Sequence, residues 1–284
     1  MILLTGATGT VGRLVAERLS PTEPVRLLTR NPVRAAPPAG RQVEVVGGDF
    51  GDFGSLVRVL TGVRSALLVT ADPLTHAHDE HFVRAARTAG VRHVVKLSAL
   101  AVTDPGATDL ITRWQRGNED LLRSSGMAWT LLRPRAFMSN TLGWARSIRE
   151  EGVVRALDGT SANAVVDPRD IADVAALALT DPERHGGRAY PLTGPAPIAA
   201  AEQTAVLAEV LQRPLSFCEL TESQVRERLG ARYPGRVVDA LMESAARQRS
   251  GAKSRVDPTV RELLGRQSGD YRAWATDHAG LFAT

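Results

Sequence analysis

The chain has 284 residues, of which 43% are hydrophobic and 23% charged, with a formal charge of +4 and a single cysteine. This length and composition suit one large α/β domain, or a nucleotide-binding domain with a smaller lobe, and argue against pervasive disorder. Arginine is spread through most segments rather than massed, so nucleic acid is not an expected partner, and the lone Cys218 excludes an intrachain disulfide or a thiolate metal cluster.

Cys218, within LSFCEL, is expected as a small buried hydrophobe, and disorder is expected only in short loops such as 32–40 and 244–255. The chain starts directly on the strand MILLT, with neither a signal peptide nor a membrane span in view, so the cytosol is the default compartment.

The first half alternates short apolar runs with longer mixed segments. Strands are predicted at 2–5, 25–30, 43–49, 65–71, 93–99 and 129–134, and helices at 11–19, 53–62, 75–90 and 114–126. The strands are nearly continuous apolar runs, as required when helices cover both faces of a parallel sheet. The fold class is therefore α/β: a doubly wound, Rossmann-type parallel sheet that binds its ligand beyond the strands' carboxyl ends. After about residue 135 the rhythm changes. A helix with a following turn is predicted at 137–152, an Asp170-capped helix near 171–179, a short strand at 188–195, and a helix at 199–213. The remainder reads as mostly helical. The division is a core of residues 1–135 and a smaller, mostly helical substrate lobe of 136–284, with 165–195 returning to the core.

TGATGTVG (5–12) sets Gly6, Gly9 and Gly12 between the first strand and the first helix, with Thr8, Thr10 and Val11 in the same turn. Gly6 permits the turn, Gly9 lets the backbone approach a pyrophosphate, and Gly12 permits close packing of the helix on the sheet. The second strand ends in Thr29, Arg30 and Asn31, with Arg34 nearby, where a diol-binding acid would be expected for NAD. Arg30 can instead pair with a 2′-phosphate, so NADP(H) is favoured over NAD(H). Asp49 could receive the adenine amino group and Phe50 could flank the ring, or they are a cap and a core aromatic. Thr70 and Ala71 end the fourth strand and could line the cofactor, and Asp72 could cap a turn.

These segments, together with GVRHVVKLSA, WTLLRPRAFMSN and VDPRDIADVAA, resemble the NmrA-like branch of the atypical short-chain dehydrogenase/reductases over nearly the whole chain. The branch includes NADPH-dependent quinone reductases, azoreductases and catalytically silent redox sensors. Ordinary members of the superfamily use a serine after the fifth strand and a Tyr-x-x-x-Lys pair on the next helix. Ser98 matches that serine, but the pair falls on Trp114 and Asn118, and no tyrosine precedes Tyr190. Indole cannot cycle as an oxygen acid and an amide carries no charge. The resemblance thus implies hydride transfer to a small aromatic or quinonoid acceptor without that pair, or a non-catalytic NADP-binding sensor. Lys96 and Ser98 are the catalytic candidates, with Lys96 also placed on the cofactor and Pro134 beside the nicotinamide.

Trp114, Arg135, Phe137, Met138 and Asn140 are candidates for substrate contact, although core packing also explains Phe137 and Met138. Trp144 reads as a pocket or interface wall. His76, His78 and His81 lack metal-ligand spacing, so no metal is expected, and His78 is the least remote histidine proton donor. Asp167 and Asp170 read as structural. A homodimer is compatible with the sequence.

Overall fold

The computed structural model describes all residues except 35, 36, 40, 41, 76 and 284, and the side chain of residue 34. His76 and the side chain of Arg34 therefore lie outside the described residues.

In chain order the first elements are β1 (Ile2–Leu4), α1 (Thr10–Leu19), β2 (Val25–Thr29), β3 (Val43–Gly47), α2 (Phe53–Leu60), β4 (Ser65–Leu68), α3 (Ala77–Thr88) and β5 (His93–Leu97). They are followed by α4 (Leu110–Arg123), β6 (Ala128–Pro134), α5 (Ala145–Glu151), β7 (Val153–Ala156), α6 (Pro168–Thr180), α7 (Pro182–His185) and β8 (Arg188–Leu192). The chain continues with α8 (Ala200–Val210), β9 (Ser216–Glu219), α9 (Glu222–Gly230), α10 (Gly235–Arg249), α11 (Thr259–Leu264) and α12 (Tyr271–Asp277).

Two compact units form. The first comprises residues 1–103, 112–134 and 168–191, and the second residues 104–111, 135–167 and 192–284. The first is built on a sheet in the order β3-β2-β1-β4-β5-β6-β8, in which the β1–β2, β1–β4, β2–β3, β4–β5 and β5–β6 pairings are parallel. Strand order reverses direction between β1 and β4, and that switch point opens the crevice typical of this topology. On one face Leu3, Leu28, Leu68, Val94 and Leu131 pack with Leu56 and Leu60 of α2, Phe82 of α3 and Leu122 of α4. The alternate residues Ile2, Leu4, Leu67 and Val95 are equally buried, as the two-residue period of a sheet covered on both sides demands. On the outer side of α1, Arg18 bonds Asp173 of α6 at 2.6 Å.

The second unit has its own core, in which Met138, Ile148, Val154, Leu207, Tyr271, Trp274 and Phe282 cluster. A short parallel sheet joins β7 to β9.

The structure corrects several expectations. The fourth helix begins at Leu110, four residues before the predicted start at 114. The single helix expected at 137–152 is a 3-10 segment, Met138–Trp144, followed by α5. Thr141 turns its hydroxyl back to the Met138 carbonyl at 2.8 Å, which tightens that segment. Helix α6 starts at Pro168, so Asp170 lies in its first turn rather than at its cap. The strands β7 and β9 were not anticipated. On β9 the period of two turns Phe217 to the core, so Cys218 is exposed rather than buried. Segment 244–255 is not a disordered loop, because α10 runs to Arg249 and the Ala164 N–H bonds the Lys253 carbonyl at 3.0 Å. Among the described residues no helix is long and apolar enough to cross a membrane.

Candidate cofactor and active site

The glycine turn is shaped by contacts that leave no room for side chains. Gly6 takes φ +61, a left-handed conformation that favours glycine, and a Cβ on Gly12 would sit 2.2 Å from the Gly6 carbonyl oxygen. Gly12 thus lets the helix start close against the turn itself. Gly9 caps α1 without a side-chain hydrogen bond, leaving the first-turn N–H groups of Thr10, Val11 and Gly12 to an incoming anion. Val11 is buried in the core, while Thr8 and Thr10 are exposed.

Beside this turn lies a cleft of about 540 Å³ at the carboxyl ends of β1 to β4. Gly6 and Thr8 line it from the turn, Thr29 and Arg30 from β2, Asp49 and Phe50 after β3, and Thr70, Ala71 and His78 from the far side. Arg30 is exposed and forms no ion pair with any described residue. One Asp49 carboxylate oxygen accepts the Gly51 N–H at 2.7 Å. The Phe50 ring packs 5.7 Å from His78 and 6.0 Å from Phe82, and its carbonyl lies 2.9 Å from His81 Nδ1. Asp72 closes a turn onto the Leu74 N–H and the Thr75 hydroxyl, which holds its carboxyl below the usual range.

Deeper in the same unit, two strand cations are neutralised by helix acids. Lys96 is fully buried on β5; its Nζ donates to Asp79 Oδ1 on α3 at 2.6 Å and to Thr70 Oγ1 at 3.4 Å. The ammonium lies 5.7 Å from the Trp114 ring. Ser98 is also buried, and its hydroxyl donates to Glu119 Oε1 at 2.6 Å. Glu119 accepts two further bonds from Arg133, at 2.9 and 2.5 Å. Burial would raise the Glu119 pKa, but the bonds from Arg133 and Ser98 and the charges of Arg133 and Arg123 outweigh it and hold the group ionised.

Trp114 and Asn118 stand one helical turn apart on the buried stripe of α4, and the indole N–H and the amide nitrogen lack hydrogen-bond partners among the described residues. Pro134 ends β6 and is buried. Within the second unit, Arg135 is half-buried, Phe137 pairs with Val166 in an isolated parallel bridge, Met138 is buried and Asn140 is exposed. Trp144 is partly buried against the core of that unit.

Neither Asp79 nor Glu119 was singled out in the sequence as a partner for these cations. The signal was present: a lysine in HVVKL and an arginine in WTLLRP each interrupt an apolar strand, and a buried cation requires a carboxylate.

The model of an NAD(P)H-binding family matches residues 6–182. The chain belongs to that family. It is an NmrA-like, NADPH-dependent oxidoreductase. The reductase is 54% identical over 283 residues to a (4-alkanoyl-5-oxo-2,5-dihydrofuran-3-yl)methyl phosphate reductase of Streptomyces griseus, covering 100% of this chain and 99% of that protein. It is 34% identical to an NAD(P)H azoreductase of Xenophilus azovorans, over 99% of each chain. Among solved structures, an Escherichia coli NADPH-dependent quinone oxidoreductase complexed with NADPH matches with a TM-score of 0.84 at 26% identity, over 98% of this chain and 99% of that one.

The residues fit a dinucleotide phosphate. The glycine cradle excludes side chains where a pyrophosphate must approach, the uncapped α1 supplies N–H donors, and β2 is followed directly by the cation Arg30 instead of a diol-binding acid. NADP(H) is the favoured cofactor.

Proposed function

We propose that the reductase delivers hydride to a small, flat, electron-poor conjugated acceptor, either quinonoid or an acyl-substituted unsaturated lactone. The observation that carries this reading is the α4 stripe. Where a proton donor and its lysine would stand, there is a buried Trp114 and a buried Asn118, and the Ser98 hydroxyl is committed to Glu119. An ordinary ketone becomes a strongly basic alkoxide and needs an acid at once. A quinone, or a ring C=C flanked by a lactone and an acyl carbonyl, becomes a delocalised anion that water can protonate.

Bound NADPH supplies the hydride. In the lactone case the new C–H bond forms at the ring carbon β to both carbonyls as the C=C π bond breaks. The electron pair spreads over the two carbonyl oxygens, and water returns a proton to the α carbon. The protein's part is alignment and electrostatics. Gly6, Gly9, Gly12 and the start of α1 hold the pyrophosphate, Arg30 the 2′-phosphate, and Asp49, Phe50, Thr70 and Ala71 the adenosine side of the cleft. Lys96, neutralised and fixed by Asp79, holds Thr70 in place beside the cofactor cleft. Trp114, Arg135, Phe137, Met138 and Asn140 are proposed to contact the acceptor.

The test is NADPH oxidation with benzoquinone and with an acyl butenolide, using NADPH deuterated at C4. A primary isotope effect with a solvent isotope effect near unity is expected. Tight NADPH binding with no turnover of either acceptor overturns the reading, and a large solvent isotope effect refutes protonation that follows a rate-limiting hydride transfer.

A further inference from the structure

Arg135 follows Pro134 in the chain and begins the 135–167 segment of the second unit. Its side chain is half-buried, its Nε is fully shielded, and it makes no hydrogen bond or ion pair with any described residue. A guanidinium drawn partly out of water loses hydration that no carboxylate among the described residues offsets here. Its surroundings add to the problem. The Arg135 N–H bonds the Leu192 carbonyl, the Val166 N–H bonds the Ala136 carbonyl, and the Ala164 N–H bonds the Lys253 carbonyl. These pairings bring segments 135–138, 164–166 and 253 together within one unit. Lys253 Nζ donates to Ser244 Oγ at 2.7 Å. Burial pushes the Lys253 ammonium down to about 8, and the positive charges of Arg135 and Arg247 push the same way against the opposing Asp109. Arg247 is itself paired with Asp104.

Cations that repel one another in a desolvated place are poor for stability, and an anion placed among them relieves the cost. We infer that Arg135 and Lys253, with the Ser244 hydroxyl, form a subsite for a phosphate monoester carried by the substrate. A phosphate carries between one and two negative charges near neutral pH, which suits two cations, and its oxygens match a guanidinium fork. The inference rests on the proposed reductase reading and narrows it: the acceptor is a phosphorylated conjugated lactone, and phosphate recognition separates it from plain quinones. The relative that is 54% identical is a reductase of such a phosphate ester.

The experiment compares two acceptors, an acyl butenolide bearing a CH2-phosphate and the same compound bearing CH2OH, with NADPH saturating. Wild-type protein is expected to favour the phosphate ester. In Lys253→Met and Arg135→Gln the ratio of kcat/KM for ester over alcohol falls by about 10- to 100-fold, through KM of the ester. Calorimetric binding of phenyl phosphate to the NADPH-loaded protein supplies a second readout, and Lys253→Met weakens it by about the same factor. Equal kcat/KM for ester and alcohol in the wild type overturns the subsite and leaves the reductase reading standing. Lys253-dependent phenyl phosphate binding with no turnover of either acceptor does the reverse. A wild type that discriminates between the acceptors, with variants that discriminate equally well, refutes the assignment to Arg135 and Lys253.

Discussion

The Lys96–Asp79 pair permits a demanding test, because both side chains are almost wholly removed from solvent and Nζ lies 2.6 Å from Oδ1. Replacing Asp79 with Leu strands an ammonium in the core, and replacing Lys96 with Met strands a carboxylate. Breaking a buried pair from one side costs about 3–5 kcal/mol, whereas substituting both partners by packed apolar residues is close to neutral. For a chain of this size each single variant should therefore melt roughly 5–8 °C below wild type, and the double variant Lys96→Met/Asp79→Leu should recover most of the loss. Differential scanning fluorimetry and urea titration measure the cycle. The same samples report function. If the pair also positions Thr70 at the cofactor cleft, the double variant folds but shows a raised KM for NADPH and a lowered kcat. Additive losses in the double variant, or an Asp79→Leu protein as stable as wild type, refute the argument that the two groups exist for each other.

Three further outcomes follow from named contacts. Arg30→Glu should weaken NADP binding by about 1–3 kcal/mol while NAD is spared, and equal losses for the two cofactors in calorimetry remove the 2′-phosphate assignment. Gly12→Ala places a methyl 2.2 Å from the Gly6 carbonyl oxygen, so a cost of about 1–3 kcal/mol and a collapse of cofactor affinity are expected; Gly117→Ala, which meets open space within α4, should gain about 0.5–1 kcal/mol. Burial and the nearby His185 lower the His93 pKa to about 4, and Nε2 must donate to Thr130 Oγ1, because that hydroxyl already donates to the His185 carbonyl. Between pH 6.5 and 4 the unfolded chain therefore binds the additional proton. Roughly 3 kcal/mol of stability should be lost as pH falls through that window, and urea midpoints that stay flat there contradict the buried neutral imidazole.

Much of the cofactor half was legible from local pattern. A strand, a glycine turn and a helix in immediate succession need only neighbouring residues to define them, and the cation Arg30 directly after β2 is read from residue type alone. The predicted strands of the first unit also lie close to their observed bounds, because continuous apolar runs announce a sheet buried on both faces. The second unit was less legible. Strands β7 and β9 are four residues each and pair across about sixty positions, so no local period marks them. Cys218 looked like core by residue type, but its orientation follows from the pairing of β9 and the inward turn of Phe217.

The sequence by itself thus determined the fold class, the dinucleotide turn and the missing tyrosine and lysine on α4, since each depends on residue type at short spacing. Tertiary structure alone decided which charges are answered. Asp79 reaches Lys96 across 17 positions and Glu119 reaches Arg133 across 14, while backbone pairing through residues 164–166 draws the segments of Arg135 and Lys253 together from more than a hundred residues apart. Electrostatic balance in a buried place is set by whatever the folded chain brings within a few ångströms, and sequence order places no such limit on it.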